Sequence, residues 1–100
     1  MTVDLGGVDL VLAGTSATVG DDLVELSDTE ARLLWTLAAH PDVVVTKADL
    51  LRDVWGEDSP DAHVVEVTVA RLRRRLGAHG TAVASVHRRG YALRTGLRSS

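Results

Sequence analysis

The arginines of this chain are gathered toward one end. Arg71, Arg73, Arg74 and Arg75 crowd one stretch, and Arg88 and Arg89 follow His87 in another. A guanidinium is planar, permanently charged and carries its N–H donors in a fork, which suits it to phosphate oxygens and to the O6/N7 edge of guanine. From position 64 onward eight basic residues stand against Glu66 alone, a balance of +7, whereas positions 1–63 hold Arg32, Lys47 and Arg52 against thirteen acids, a balance of −10. The net charge of −3 taken alone argues against a polyanionic partner. Its segregation along the chain argues instead for an acidic body carrying a basic edge. The bland alternative is a solvated arginine face with no partner at all.

Other chemistries are poorly supplied. Without cysteine there is no disulfide framework and no thiolate metal or redox site, which is compatible with a reducing cytosol. His40, His63, His79 and His87 are scattered, and none forms a metal-ligand pair at helical spacing. The carboxylates fall in helix caps, turns and strand-rich sequence, with no Ser or His placed to make a nucleophile and base. Gly6-Gly7 reads as a turn, because no phosphate-loop lysine follows it. We therefore expect no enzyme, no cofactor and no metal. Residues 1–7 carry neither a basic nor an apolar leader pattern, and no apolar run approaches a membrane span, so the expected location is the cytoplasm, with no membrane partner.

These side chains need a scaffold, and the periodicity supplies one. Within positions 1–26, short apolar runs at period two alternate with glycine breaks, as in Val8, Leu10 and Leu12, and predict an antiparallel meander of four short strands. At Ser27 the period changes. Ser27-Asp28-Thr29-Glu30 is a capping box, Leu33, Leu34 and Leu37 follow at helical spacing, and Pro41 stops the helix near His40. Thr46 opens a second helix over 47–54, with Gly56 just past its end.

After a polar loop over 57–61, a third helix is predicted for about 61–76, closed by Gly77. Its core stripe is Ala62, Val65, Val69, Leu72 and Leu76. The opposite face carries His63, Val64, Val67, Arg71 and Arg74, with Thr68 and Arg75 at one margin and Arg73 at the other. Positions 82–86 and 91–94 read as a hairpin with the tip His87-Arg88-Arg89-Gly90, Gly90 supplying the positive φ of the turn. There is no Phe, so the core must be Val, Leu and Ala, with Trp35 and Tyr91 as packing rings and Trp55 partly in the core.

Three helices followed by a hairpin make a helix-turn-helix with a wing, a winged helix of class α+β. The segments LSDTEARLLWTLAAHPDVVVTKADLLRDVWG, VVEVTVARLRRRLG and SVHRRGYALR resemble the OmpR/PhoB-type effector domain of two-component response regulators, and the similarity runs over nearly the whole chain. The resemblance implies one domain over 1–96, with the sheet at 1–26, helices at 27–77, the wing hairpin at 81–95 and a tail at 97–100. It implies sequence-specific binding of double-stranded DNA for transcription regulation, with the third helix in the major groove and the wing at the minor groove.

Carried over by position, Arg71 reads a base, Val64 and Val67 touch thymine methyls, and Glu66 accepts from cytosine. Lys47, Trp55, Thr68, Arg73, Arg74 and Arg75 fall to the DNA backbone, and His87, Arg88 and Arg89 to the wing. The family's minor-groove arginine is replaced by His87, which passes that role to Arg88 or Arg89. Ala31 stands where the family has Phe, and Trp35 one turn later is positioned to refill that volume. The implied partners are RNA polymerase or a second copy on tandem half-sites, and a regulatory domain elsewhere in a longer chain. The wing V-H-R-R-G-Y is also similar to winged helices attached to uroporphyrinogen-III-synthase-like proteins. Plainer roles stand beside these. Glu66 can form a salt bridge with Arg73 or another neighbour, and His40 and His79 need have no chemical role. The Val64 and Val67 face can dock a protein, making the module a protein-interaction winged helix.

Overall fold

The computed structural model describes residues 1–56 and 61–95. The loop expected over 57–61 lies outside the described residues except for Asp61, as do Gly96 and the expected tail. The N-terminal alternation forms β1 (Thr2–Asp4), β2 (Asp9–Ala13), β3 (Ser16–Val19) and β4 (Asp22–Glu25), an antiparallel meander in that spatial order. Its register aligns Val3 with Leu10 and Val19, and Leu12 with Ala17 and Val24. The first five of these are buried, while Val11 and Leu23, on the opposite face, are exposed. A slip by one residue would exchange the two sets, so the burial of one face fixes the pairing.

α1 (Asp28–Ala38) begins with the expected capping box: Ser27 Oγ accepts from the Glu30 N–H at 3.1 Å, and Glu30 Oε1 accepts from the Ser27 N–H at 3.0 Å. Leu33, Leu34 and Leu37 are fully buried. Trp35 is half-buried and donates its indole N–H to the Gly14 carbonyl at 3.0 Å. With Ala31 it borders a groove of about 600 Å³, so the volume beside Ala31 stays partly open.

The second helix differs from expectation. α2 covers only Lys47–Leu50, capped by Thr46 Oγ1, and the chain then widens into a π-helical turn, Leu51–Trp55. The cause is visible at Gly56, whose N–H is shared between the carbonyls of Leu51 and Arg52, both at 3.1 Å. α3 (His63–Leu76) starts two residues later than the pattern suggests. Asp61 stays outside as a cap, its carboxylate accepting from the His63 N–H at 3.0 Å. Ala62 is consequently exposed instead of joining the core stripe, whereas Val65, Val69, Leu72 and Leu76 are buried as expected.

A 3-10 turn at Gly77–Ala82, which no periodicity announces, leads into the hairpin of β5 (Val83–Val86) and β6 (Gly90–Leu93). The left-handed residue inside the turn is Arg88, at φ 62°. Gly90, at φ 151°, has a further reason to be glycine. Val45 and Tyr91 exchange two backbone hydrogen bonds, at 2.8 and 3.0 Å, and a Cβ on Gly90 would stand 2.0 Å from the Val45 carbonyl oxygen. A second stitch lies nearby: the Asp42 N–H bonds to the Leu93 carbonyl at 2.8 Å, and its carboxylate accepts from the N–H and hydroxyl of Thr95. One core of Leu, Val and Ala, closed by Tyr91, unites sheet, helices and hairpin.

Candidate nucleic-acid interface

Because Val65, Val69, Leu72 and Leu76 anchor one side of α3 in the core, the other side faces solvent. Exposed there are His63, Glu66, Ala70, Arg71, Arg74 and Arg75, with Val64 and Val67 half-buried beside them. Arg71 and Arg74 form no hydrogen bond or ion pair among the described residues, and with Arg75 they border a shallow basin of about 460 Å³. Two uncommitted guanidinium groups on one helix face are free to meet an anionic ligand. Thr68 requires a correction. Expected at the margin of this face, it is 5% exposed, because the stripe that packs on the core is broad enough to include it.

The neighbouring arginines are already employed. Arg73 donates from Nε to the Val83 carbonyl at 2.8 Å and from Nη2 to Ser85 Oγ at 2.7 Å, and its guanidinium carbon lies 5.9 Å from the centre of the Tyr91 ring. This side chain locks α3 to the hairpin and so sets the angle between the two. Arg75 pairs through Nε with Glu30 Oε1 at 2.7 Å, and Glu30 is almost wholly buried. The capping carboxylate of α1 thereby also holds the last turn of α3. Ser85 was not among the residues expected at the site; the hairpin register sets it opposite Tyr91, and only the packing of α3 on the hairpin brings Arg73 to both.

Across the face, Lys47 reaches from the first turn of α2 to Glu66 Oε1 at 2.6 Å, and His63 Nδ1 lies 3.1 Å from Glu66 Oε2. The hydrogen bond from Lys47, joined by that of His63, holds the Glu66 carboxyl below its ordinary value, and the same contact with Glu66 raises that of Lys47. The expected bridge of Glu66 to a neighbour is therefore present, to His63 and Lys47 and not to Arg73. His87, Arg88 and Arg89 are all exposed at the wing tip. They surround a cleft of about 310 Å³ together with Lys47, Ser85, Val86, Gly90 and Tyr91. The fold thus brings Lys47 to the wing, some forty positions away in sequence, through the Val45–Tyr91 pairing. Trp55 is half-buried against the core, and its indole N–H has no acceptor among the described residues.

Comparison with known proteins gives one consistent result. Residues 20–93 match the family model described as "Transcriptional regulatory protein, C terminal". The transcriptional regulatory protein PrrA of Mycobacterium tuberculosis is 39% identical over 80 residues, which cover 79% of this chain and 34% of PrrA. The chain spans about a third of the length of the curated relatives it matches. Among solved structures, the DNA-binding domain of CpxR from E. coli superposes with a TM-score of 0.77 at 27% identity, covering 97% of this chain and 99% of that one. The RstA DNA-binding domain from Klebsiella pneumoniae, solved in complex with the RstA box, gives 0.74 at 25% identity, covering 94% and 97%.

Proposed function

The chain belongs to the family of C-terminal domains of transcriptional regulatory proteins, and from that premise we propose that it binds double-stranded DNA sequence-specifically, as the output module of a longer cytoplasmic response regulator of the OmpR/PhoB type. The observation that carries the reading is the pair of guanidinium groups, Arg71 and Arg74, without partners among the described residues, on the solvent face of α3 and flanked by the cationic wing tip. The crystal of the RstA domain with its DNA box supports it by likeness of fold.

In this reading α3 lies in the major groove. Arg71 pairs with a guanine edge, Val64 and Val67 meet thymine methyls, and Glu66 accepts from a cytosine amino group. Arg74, Lys47, Arg88 and Arg89 meet phosphates, which position the domain without reading sequence, and the Trp55 indole N–H adds a donor. Arg73 and Arg75 act at one remove, holding α3 to the wing and to α1. The acidic N-terminal sheet turns away from the polyanion. The family is one of regulators and not of enzymes, and no catalytic role is assigned. Pairing of two copies on tandem half-sites, contact with RNA polymerase and a regulatory domain in the same polypeptide complete the proposal.

Selection from random duplexes at two salt concentrations tests it. Enrichment of a defined motif, with affinity falling linearly in log salt, is the expected outcome, because each neutralised phosphate releases counterion. Absence of salt-dependent binding to every duplex would instead favour a protein-docking role for the Val64 and Val67 face.

A further inference from the structure

Glu66 is the only acidic residue from position 64 to the end of the chain, and it stands on the very helix face that carries Arg71 and Arg74. A carboxylate there repels the phosphates that its neighbours attract. Both its oxygens are engaged, Oε1 by the Lys47 ammonium at 2.6 Å and Oε2 by His63 Nδ1 at 3.1 Å. The contact is open to competitors, since the side chains of Lys47 and Glu66 are 44% and 46% exposed. Exposed pairs of this kind are individually weak and readily exchanged. Lys47 also lines the cleft shared with Arg88 and Arg89, so the residue that holds Glu66 borders the wing as well.

We propose that Glu66 determines specificity by withholding Lys47 from the DNA backbone until a base offers the carboxylate an amino donor in exchange. The inference rests on the DNA-binding reading above. On a duplex that presents an exocyclic amino group opposite α3, such as cytosine N4, Glu66 trades the ammonium for the base N–H. Lys47 is then free to swing into the wing cleft and meet a phosphate. On a duplex without that donor the pair stays closed, and the domain binds with one cation fewer. Opening it there would leave the Glu66 carboxylate with His63 alone against a polyanion. Base reading and backbone affinity are thereby coupled through one ion pair between α2 and α3, a discrimination neither residue supplies alone.

The test uses the whole chain as wild type, Glu66→Ala, Lys47→Met and the double variant. Fluorescence anisotropy across a salt series measures each on a selected duplex and on an unrelated one. On the unrelated duplex Glu66→Ala should bind several-fold more tightly at low salt, with a log–log slope steeper by about 0.9, the increment of one added phosphate contact. On the selected duplex its slope should match wild type while preference at one base position is lost. The slope gain should vanish when Lys47→Met is added. An unchanged slope on the unrelated duplex overturns the proposal, as does a gain that persists without Lys47, which would reduce Glu66 to simple repulsion. Wild type that binds no duplex overturns the DNA reading itself.

Discussion

Replacing Gly90 by alanine should loosen the wing from the rest of the molecule, and the structure fixes how strongly. The added Cβ would lie 2.0 Å from the Val45 carbonyl oxygen and 2.8 Å from the Thr46 Cα, where ordinary contact begins near 3.4 Å. Both obstacles are backbone, so no side chain can swing aside and the hairpin must withdraw. Withdrawal breaks the two hydrogen bonds between Val45 and Tyr91, each worth about 0.5–1.5 kcal/mol net and more if a buried partner is stranded. The positive φ adds about 1 kcal/mol or more for a residue with a Cβ. The total is about 2–4 kcal/mol, a large part of the roughly 5–15 kcal/mol that holds a domain folded. For a chain of this size that lowers Tm by on the order of 15 °C, read by circular dichroism. Gly14→Ala is the control, since Gly14 also has positive φ but open space where its Cβ would go. It should cost only about 1–2 kcal/mol. Equal Tm losses in the two variants would refute the reasoning, because backbone crowding would then not be what demands glycine at position 90.

Four further outcomes follow from the site. Arg71→Ala should cost about 1–3 kcal/mol on the preferred duplex and relax selection at one base pair; motif selection with unchanged preference would remove Arg71 as a reader. Arg88→Ala with Arg89→Ala should weaken binding to all sequences alike and flatten the salt slope, measured by anisotropy. Arg74→Ala and Arg75→Ala should part company. The first should lower the salt slope and leave urea unfolding unchanged, whereas the second, by stripping buried Glu30 of its ion pair, should cost about 1 kcal/mol of stability after allowing for the half-exposed guanidinium. Finally, donation from the Thr95 hydroxyl and N–H holds the Asp42 carboxyl below its ordinary 3.8. A group depressed on folding stabilises above its unfolded value and loses that contribution as pH falls through the folded one, so Asp42→Asn should make stability less pH-dependent below about pH 4 in acid-denaturation curves.

What could be read from residue order, and what could not, divides along the range of the interactions concerned. The capping box at Ser27, the core stripe of α3 and the alternation of the meander are local patterns, set by periods of 3.6 and 2, and the fold follows them closely. The π-helical turn after Leu50 and the 3-10 turn after Leu76 left no such trace, because their cause is which carbonyl an N–H finds. At the site, exposure of Arg71, Arg74, Arg88 and Arg89 was legible from helical phase and hairpin tip. The employment of Arg73, Arg75 and Lys47 was not. Their partners Val83, Ser85, Glu30 and Glu66 come from other elements, and only tertiary packing brings them within reach. Thr68 shows the same limit from the other side: helical phase put it at a margin, and the breadth of the packed face decided that it was inside.

This division bears on how a chain of net charge −3 could approach a polyanion at all. Beyond about one Debye length, roughly 8 Å at physiological salt, most of the field of either surface is screened. Net repulsion therefore matters less than which patch arrives first. The described basic residues of the last third lie on α3, the hairpin and its tip, and two of the arginines there are already spent on Glu30 and on the hairpin. Among the described residues of α3, the wing tip and the start of α2, what remains for a ligand is Arg71 and Arg74 on the helix, Arg88 and Arg89 on the wing, and Lys47 between them once Glu66 releases it. Each of these should carry a measurable share of the salt dependence. An acidic body penalises every docking that turns α3 away from the duplex. Adding positive charge to the outer sheet face and the β3–β4 turn, for instance Asp9→Lys with Asp21→Lys, should raise affinity for unrelated DNA while leaving the selected motif unchanged, and a motif that shifts would mean the sheet itself touches the bases.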